Sequence, residues 1–208
     1  MAGPSRPALF LDRDGVVNVD YGYVSRWERF HYIPGVEAVI QAANDLGWAV
    51  VIVTNQSGIA RGYFSEADLA ALHETLMQDL ASRGARIDAI YVCPYLPGCG
   101  SPLYDRDSED RKPKPGMLLR AARDLNLDFA RSHMIGDQAR DMQAAAAAGV
   151  TGHLFPGGNL WDFAAAAIAD FRSRDCPEAR RYNPARPLPT TGSSAQVAQQ
   201  RPDPFSLR

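Results

Sequence analysis

Along residues 8–171, short apolar runs alternate with amphipathic stretches, and each ends at glycine, proline or a polar turn. Residues 8–11 predict a buried strand followed by an acidic, glycine-containing turn. Residues 34–46 have helical spacing and stop at Gly47. Residues 48–53 predict a second buried strand. Ser65 with Asp68 forms a capping-box pattern that opens a helix to about Arg83, closed by Gly84. Residues 89–92 predict a third strand, and 115–126 a helix with Pro115 in its first turn. His133–Ile135 is a short fourth strand. An alanine-rich helix over 138–148 ends at Gly149, a fifth strand covers 152–155, and a last helix covers 159–171.

This strand–helix alternation predicts an α/β fold: a doubly wound, Rossmann-like parallel sheet of five or more strands, with helices on both faces. Ligands of such sheets sit beyond the carboxyl ends of the strands. The polar clusters fall there. Asp12–Gly15 follows the first strand, Thr54–Gly58 the second, and Gly136–Gln138 the fourth. Only about a dozen residues separate the first cluster from the next helix, so no large cap domain is expected.

Composition narrows the picture further. At 208 residues with 46% hydrophobic and 22% charged positions, the chain has an ordinary globular balance. From residue 172 the pattern changes to a proline-, arginine- and serine-rich tail without periodicity, which predicts one domain over 1–171 and a mobile tail over 172–208. The net charge of −2 argues against a nucleic-acid partner. No apolar run is long enough to span a membrane, and the amino-terminal residues lack a signal-peptide layout, so a cytoplasmic address is expected. Three cysteines are too few for a disulfide framework. The sequence does not fix the oligomeric state, and a monomer is the working expectation.

The charge inventory holds one sharper fact. Of 22 basic residues only Lys112 and Lys114 are lysine, and they stand two apart. A lysine is a compact point charge where arginine is a planar fork. The segment 111–116 is therefore a place to look for chemistry: Lys112 is suited to a phosphate, and Arg111 to a second anionic group. Asp12 and Asp14, two apart past a strand, can reach one site, one attacking an electrophile while the other moves protons. Their mutual repulsion calls for a cation, and Mg²⁺ suits oxygen ligands. Thr54 and the backbone N–H groups after it suit phosphate oxygens, although a plain turn reads the same way. Asp137 ends the fourth strand, where with Asp12 and Asp14 present a metal ligand is the better reading than a helix cap, and Asp141 lies four further on along the same helical face. The four histidines, His31, His73, His133 and His153, are scattered and read as structural. No dinucleotide, P-loop, nucleophile-elbow or zinc-protease pattern is present.

Taken in order, these segments resemble the haloacid dehalogenase-like phosphohydrolases: AspXaaAspGly, a threonine after the second strand, a lysine, and an acidic pair after the fourth. The stretches 10–24, 53–62, 111–118 and 134–145 are similar to one branch of that superfamily, the D-glycero-D-manno-heptose 1,7-bisphosphate 7-phosphatases and their histidinol-phosphatase relatives. The resemblance covers about residues 8–155. It implies Asp12 as nucleophile, Asp14 as general acid/base, and Mg²⁺ held by Asp12, the Asp14 backbone carbonyl and Asp137, with Asp141 behind them. It implies Thr54 and Lys112 as phosphoryl binders. Asp20, Tyr21, Gly22, Tyr23, Asn55, Gln56, Ser57, Arg111 and Gln138 would then contact the rest of a small sugar phosphate. Many members of this branch carry a zinc loop, from which this chain departs. Cys93 keeps one ligand place, but Tyr95, Ser108 and Asp110 occupy the others and Cys99 is extra. Zinc is not expected here.

Overall fold

The structure is a computed structural model that describes residues 5–172. The proposed tail lies outside them, apart from its first residue. Five strands, β1 (Ala8–Leu11), β2 (Ala49–Asn55), β3 (Ala89–Cys93), β4 (His133–Gly136) and β5 (Thr151–Leu154), form one sheet in the order β3-β2-β1-β4-β5. Every pairing is parallel. The chain winds outward from β1 through β2 to β3, then returns to β1's other side as β4. That reversal opens the crevice between the carboxyl ends of β1 and β4, where parallel sheets take ligands. The Asp12 N–H spans it, donating to the Ile135 carbonyl at 3.0 Å.

Period-two alternation in β1 and β2 feeds two cores. Leu9, Leu11, Val50 and Ile52 face one side, under α1 (Val36–Asp45), α3 (Glu66–Ser82) and α6 (Leu160–Ala167). Ala8, Phe10, Ala49, Val51 and Val53 face the other, under α4 (Gly116–Leu125) and α5 (Ala139–Ala148). Helix α3 turns Leu69, Leu72, Leu76 and Leu80 inward, and His73 lies buried beside that stripe. Its capping box is formed: the Ser65 hydroxyl accepts from the Asp68 N–H at 3.1 Å, and the Asp68 carboxylate accepts from the Ser65 N–H at 2.8 Å.

Two details differ from the sequence pattern. The second polar cluster contains a one-turn helix, α2 (Ser57–Ala60), too short to leave a periodic signature. The last helix is interrupted at Ile168, which is extended, and resumes as α7 (Ala169–Arg172). No large cap is inserted: residues 12–35 make a loop with one 3-10 turn, Trp27–Arg29. Among the described residues no helix is long and apolar enough to cross a membrane.

Candidate active site

The sheet delivers three carboxylates to one point. Oxygens of Asp12, after β1, and of Asp137 and Asp141, after β4, lie within 4.8 Å of one another. The backbone is shaped for this approach. A Cβ on Gly15, whose φ is +88°, would sit 2.3 Å from Asp137 Oδ2, and one on Gly136 would sit 2.3 Å from the Asp141 Cβ. Neither position can carry a side chain without displacing a carboxylate.

Lys112 reaches this cluster from the loop before α4 and is 2% exposed. Its ammonium meets Asp12 Oδ1 at 2.9 Å, Asp141 Oδ1 at 2.7 Å and the Val53 carbonyl at 2.8 Å. Asn55 fixes the same residue's backbone, donating to the Lys112 carbonyl at 3.0 Å and accepting from its N–H at 3.1 Å. Burial pushes the Asp12 carboxyl up to about 6, with Lys112 pulling the other way and Asp141 adding to the rise.

The sequence favoured Asp137 as a metal ligand over a helix cap. Helix α5 is capped otherwise, since the Gln138 N–H donates to Asp141 Oδ2 at 3.0 Å. Asp137 Oδ2 accepts from the Gln138 amide at 3.0 Å, while Asp137 Oδ1 is buried without a hydrogen-bond partner. An orphaned carboxylate oxygen is costly unless a cation satisfies it. Three carboxylates against one ammonium also leave an excess of two negative charges, which suits a divalent ion with oxygen ligands. The residues therefore fit Mg²⁺.

Asp14 belongs to a second, linked network. Its carboxylate accepts from Asn18 at 3.0 Å and from the Gln56 amide at 2.8 Å, and the same Gln56 nitrogen donates to the Thr54 hydroxyl at 2.9 Å. Arg13, fully buried, donates through Nη2 to both Asp14 oxygens, at 2.8 and 2.9 Å. Sequence reasoning passed over Arg13 and Asn18, and read His73 as structural. The available signals were a cation between two aspartates and a histidine beside a leucine stripe.

The remaining candidates make contacts of their own. Asp20 accepts from the Gly22 N–H at 2.8 Å, which shapes an exposed turn bearing Tyr21 and Tyr23. Tyr23 meets Tyr63 edge-on at 4.7 Å. Ser57 opens α2, half-buried. Arg111 donates to the Tyr95 carbonyl at 2.9 Å, so its guanidinium braces the 94–110 loop. That loop is tied by Asp105, which accepts from the N–H groups of Gly98 and Gly100, and by the Arg106 guanidinium 3.7 Å above the Tyr95 ring.

Buried His73 and half-buried His133 and His153 make acid stability a test of this packing. Burial, and next the Arg13 charge, pushes His73 down to about 3, and burial also lowers His133 and His153. Folding therefore favours their neutral forms, whereas the unfolded chain takes up protons below about pH 6.5. Their contribution is complete above pH 6.5 and drains as the pH falls, by up to about 1.4 kcal/mol per unit for buried His73 and by less for the half-buried, solvent-screened His133 and His153. Asp12, raised rather than lowered, opposes them between about 6 and 3.8. Urea unfolding should give lower stability at pH 5 than at pH 7.5, and His73→Gln should narrow the gap.

Comparisons with known proteins agree with this geometry. A family profile for HAD-hydrolase-like proteins matches residues 110–174. The D-glycero-β-D-manno-heptose-1,7-bisphosphate 7-phosphatase of Yersinia pestis is 49% identical over 146 residues, covering 70% of this chain and 78% of its own. The protein of that name from Rhodopseudomonas palustris is 46% identical over 159 residues, covering 76% and 88%. The crystal structure of the D,D-heptose 1,7-bisphosphate phosphatase from B. bronchiseptica, complexed with magnesium and phosphate, matches with a TM-score of 0.65 at 39% identity, covering 77% of this chain and 86% of that one.

Proposed function

Because the chain belongs to the HAD-like phosphatases, in the branch of the heptose bisphosphate enzymes, we propose that it removes the 7-phosphate of D-glycero-D-manno-heptose 1,7-bisphosphate through an aspartyl-phosphate. The observation that carries this reading is the buried Lys112 ammonium joining Asp12 to Asp141, beside an unpartnered oxygen of Asp137.

The contacts support a two-step chemistry. Lys112 and the Arg13 N–H both engage Asp12 Oδ1, which leaves Oδ2 for attack on phosphorus. As that bond forms, the bond from phosphorus to the sugar oxygen breaks, and Asp14 delivers a proton to the departing oxygen. Water then attacks the phosphorus of the aspartyl-phosphate while Asp14 takes its proton, freeing phosphate and the Asp12 carboxylate. Lys112 and Thr54 hold the equatorial phosphoryl oxygens, whose charge is the main demand of phosphoryl transfer. Asp12, Asp137 and the Asp14 carbonyl would hold Mg²⁺, which when bound neutralises phosphoryl charge and the excess of carboxylates. Asn55 keeps Lys112 aimed, and the exposed turn at Asp20–Tyr23 receives the sugar. A cytoplasmic address is part of the same proposal.

A panel of phosphomonoesters with added Mg²⁺ tests the substrate. The heptose bisphosphate should give the highest kcat/KM, and loss of its 7-phosphate should precede any loss at position 1. Faster turnover of histidinol phosphate would overturn the assignment.

The 94–110 loop needs no zinc in this reading. Burial raises the Cys93 thiol above its ordinary value, and one thiolate does not close a tetrahedral zinc site. Asp110, which stands where many members of the branch have a zinc ligand, pairs with Arg120 at 2.6 Å. Protein purified without chelators should carry no stoichiometric zinc and keep its melting temperature in strong chelator, while losing activity until Mg²⁺ is restored. One zinc per chain that is lost on Cys93→Ser would refute this.

A further inference from the structure

We infer that His73 and Arg13 are positioning residues for Asp14, tying the proton-transfer carboxylate to helix α3 and to the sugar-facing turn through one buried guanidinium. The inference rests on the reading of Asp14 given above.

Arg13 is fully enclosed, and each arm of its fork has a partner. Nη2 holds both Asp14 oxygens and donates to the Val24 carbonyl at 2.6 Å, Nε lies 3.3 Å from Asp14 Oδ1, and Nη1 lies 3.2 Å from His73 Nε2. A guanidinium has no acceptor and does not deprotonate in proteins. His73 Nε2 must therefore present its lone pair, with the ring proton on Nδ1. The lowered pKa of His73 agrees with a neutral ring.

The chain of contacts joins parts that are otherwise separate. His73 is set by α3, whose start is fixed by the Ser65–Asp68 box and whose leucines anchor it to the sheet. Val24 directly follows Tyr23, a non-glycine residue held at φ +52°, at the end of the turn proposed to receive the sugar. That left-handed backbone is disfavoured for a residue with a side chain, and such strain gathers at functional sites. A bidentate guanidinium fixes a carboxylate in direction as well as distance. Without the His73 acceptor, one arm of Arg13 would be buried and unpaired, so the guanidinium would rotate to satisfy it and carry Asp14 along.

The test separates proton delivery from general damage. An aryl phosphate with a good leaving group needs little protonation as the aspartyl-phosphate forms, whereas an alkyl sugar phosphate needs it fully. Phosphoenzyme formation is measured in single turnover with both substrates, for the wild type, His73→Leu, His73→Gln and the reference Asp14→Asn. His73→Leu should slow the alkyl substrate about tenfold or more relative to the aryl one, a part of the range for a misplaced acid. His73→Gln, which offers an amide oxygen as acceptor, should recover most of that ratio. Should His73→Leu not fold, Arg13→Lys, which keeps the charge but not the fork, carries the same comparison. Equal slowing of both substrates in the folded variant, with Asp14→Asn still discriminating, would overturn the positioning role alone. No discrimination by Asp14→Asn would overturn the reading of Asp14, and this inference with it.

Discussion

Replacing Asp12 by asparagine is expected to abolish phosphatase turnover and leave the fold intact. The amide keeps an oxygen that accepts from Lys112 and from the Arg13 N–H, the two contacts made by Asp12 Oδ1. The core beneath it, Phe10 and Leu11 of β1, is untouched. What is lost is the nucleophile. Removing a group that acts as part of a catalytic unit costs roughly 10⁴–10⁶ in kcat. Acid-quenched Asp12→Asn should carry no phosphorus from labelled substrate, while its circular dichroism and sedimentation match the wild type. More than a trace of Mg²⁺-dependent turnover would remove Asp12 from the role.

Lys112→Arg is the second large effect, and it retains the charge. The ammonium occupies a closed pocket with carboxylates on two sides and a carbonyl on a third. A guanidinium is larger, flat, and directs its donors in one plane. It cannot meet three acceptors arranged around a point without moving Asp12 or Asp141. The rate should fall well over tenfold, at least about 1.4 kcal/mol of barrier, and overpacking should cost a further ~1–3 kcal/mol of stability. Lys112→Met should be the more destabilising change, because it leaves two buried carboxylates without their cation, a loss of about 3–5 kcal/mol. Steady-state kinetics and denaturant midpoints of the two variants check both claims. An arginine variant with full activity would mean that the scarcity of lysine in this chain carries no chemical message.

Much of this architecture is local in origin. The runs at 8–11, 48–53, 89–92, 133–135 and 152–155 are short, apolar and separated by helical spacing, and each coincides with a strand to within one or two residues. That alternation, through the geometry of parallel strands and crossover helices, also places the polar clusters at the carboxyl edge. The pairing of Asp12 with Asp14 and the isolated Lys112 are visible as residue types at spacings, before any contact is known.

Partner choice is another matter, because it depends on strand order. Lys112 reaches the Val53 carbonyl across 59 residues, and Asp141 from another element, only because β2 and β4 both flank β1. Asn55 and Arg111 stand in segments whose residue types suit a ligand. Folded, Asn55 spends its amide on the Lys112 backbone, and Arg111 spends one arm on the Tyr95 carbonyl. Arg13 reads as a solvated arginine between two acids, until burial removes the water and makes Asp14, Val24 and His73 its entire solvation. Hydrophobic period and turn chemistry act over a few residues and so are legible along the chain. The pairing of buried polar groups is settled by which distant segments the sheet brings into reach, since each donor shut off from water must find its acceptor there.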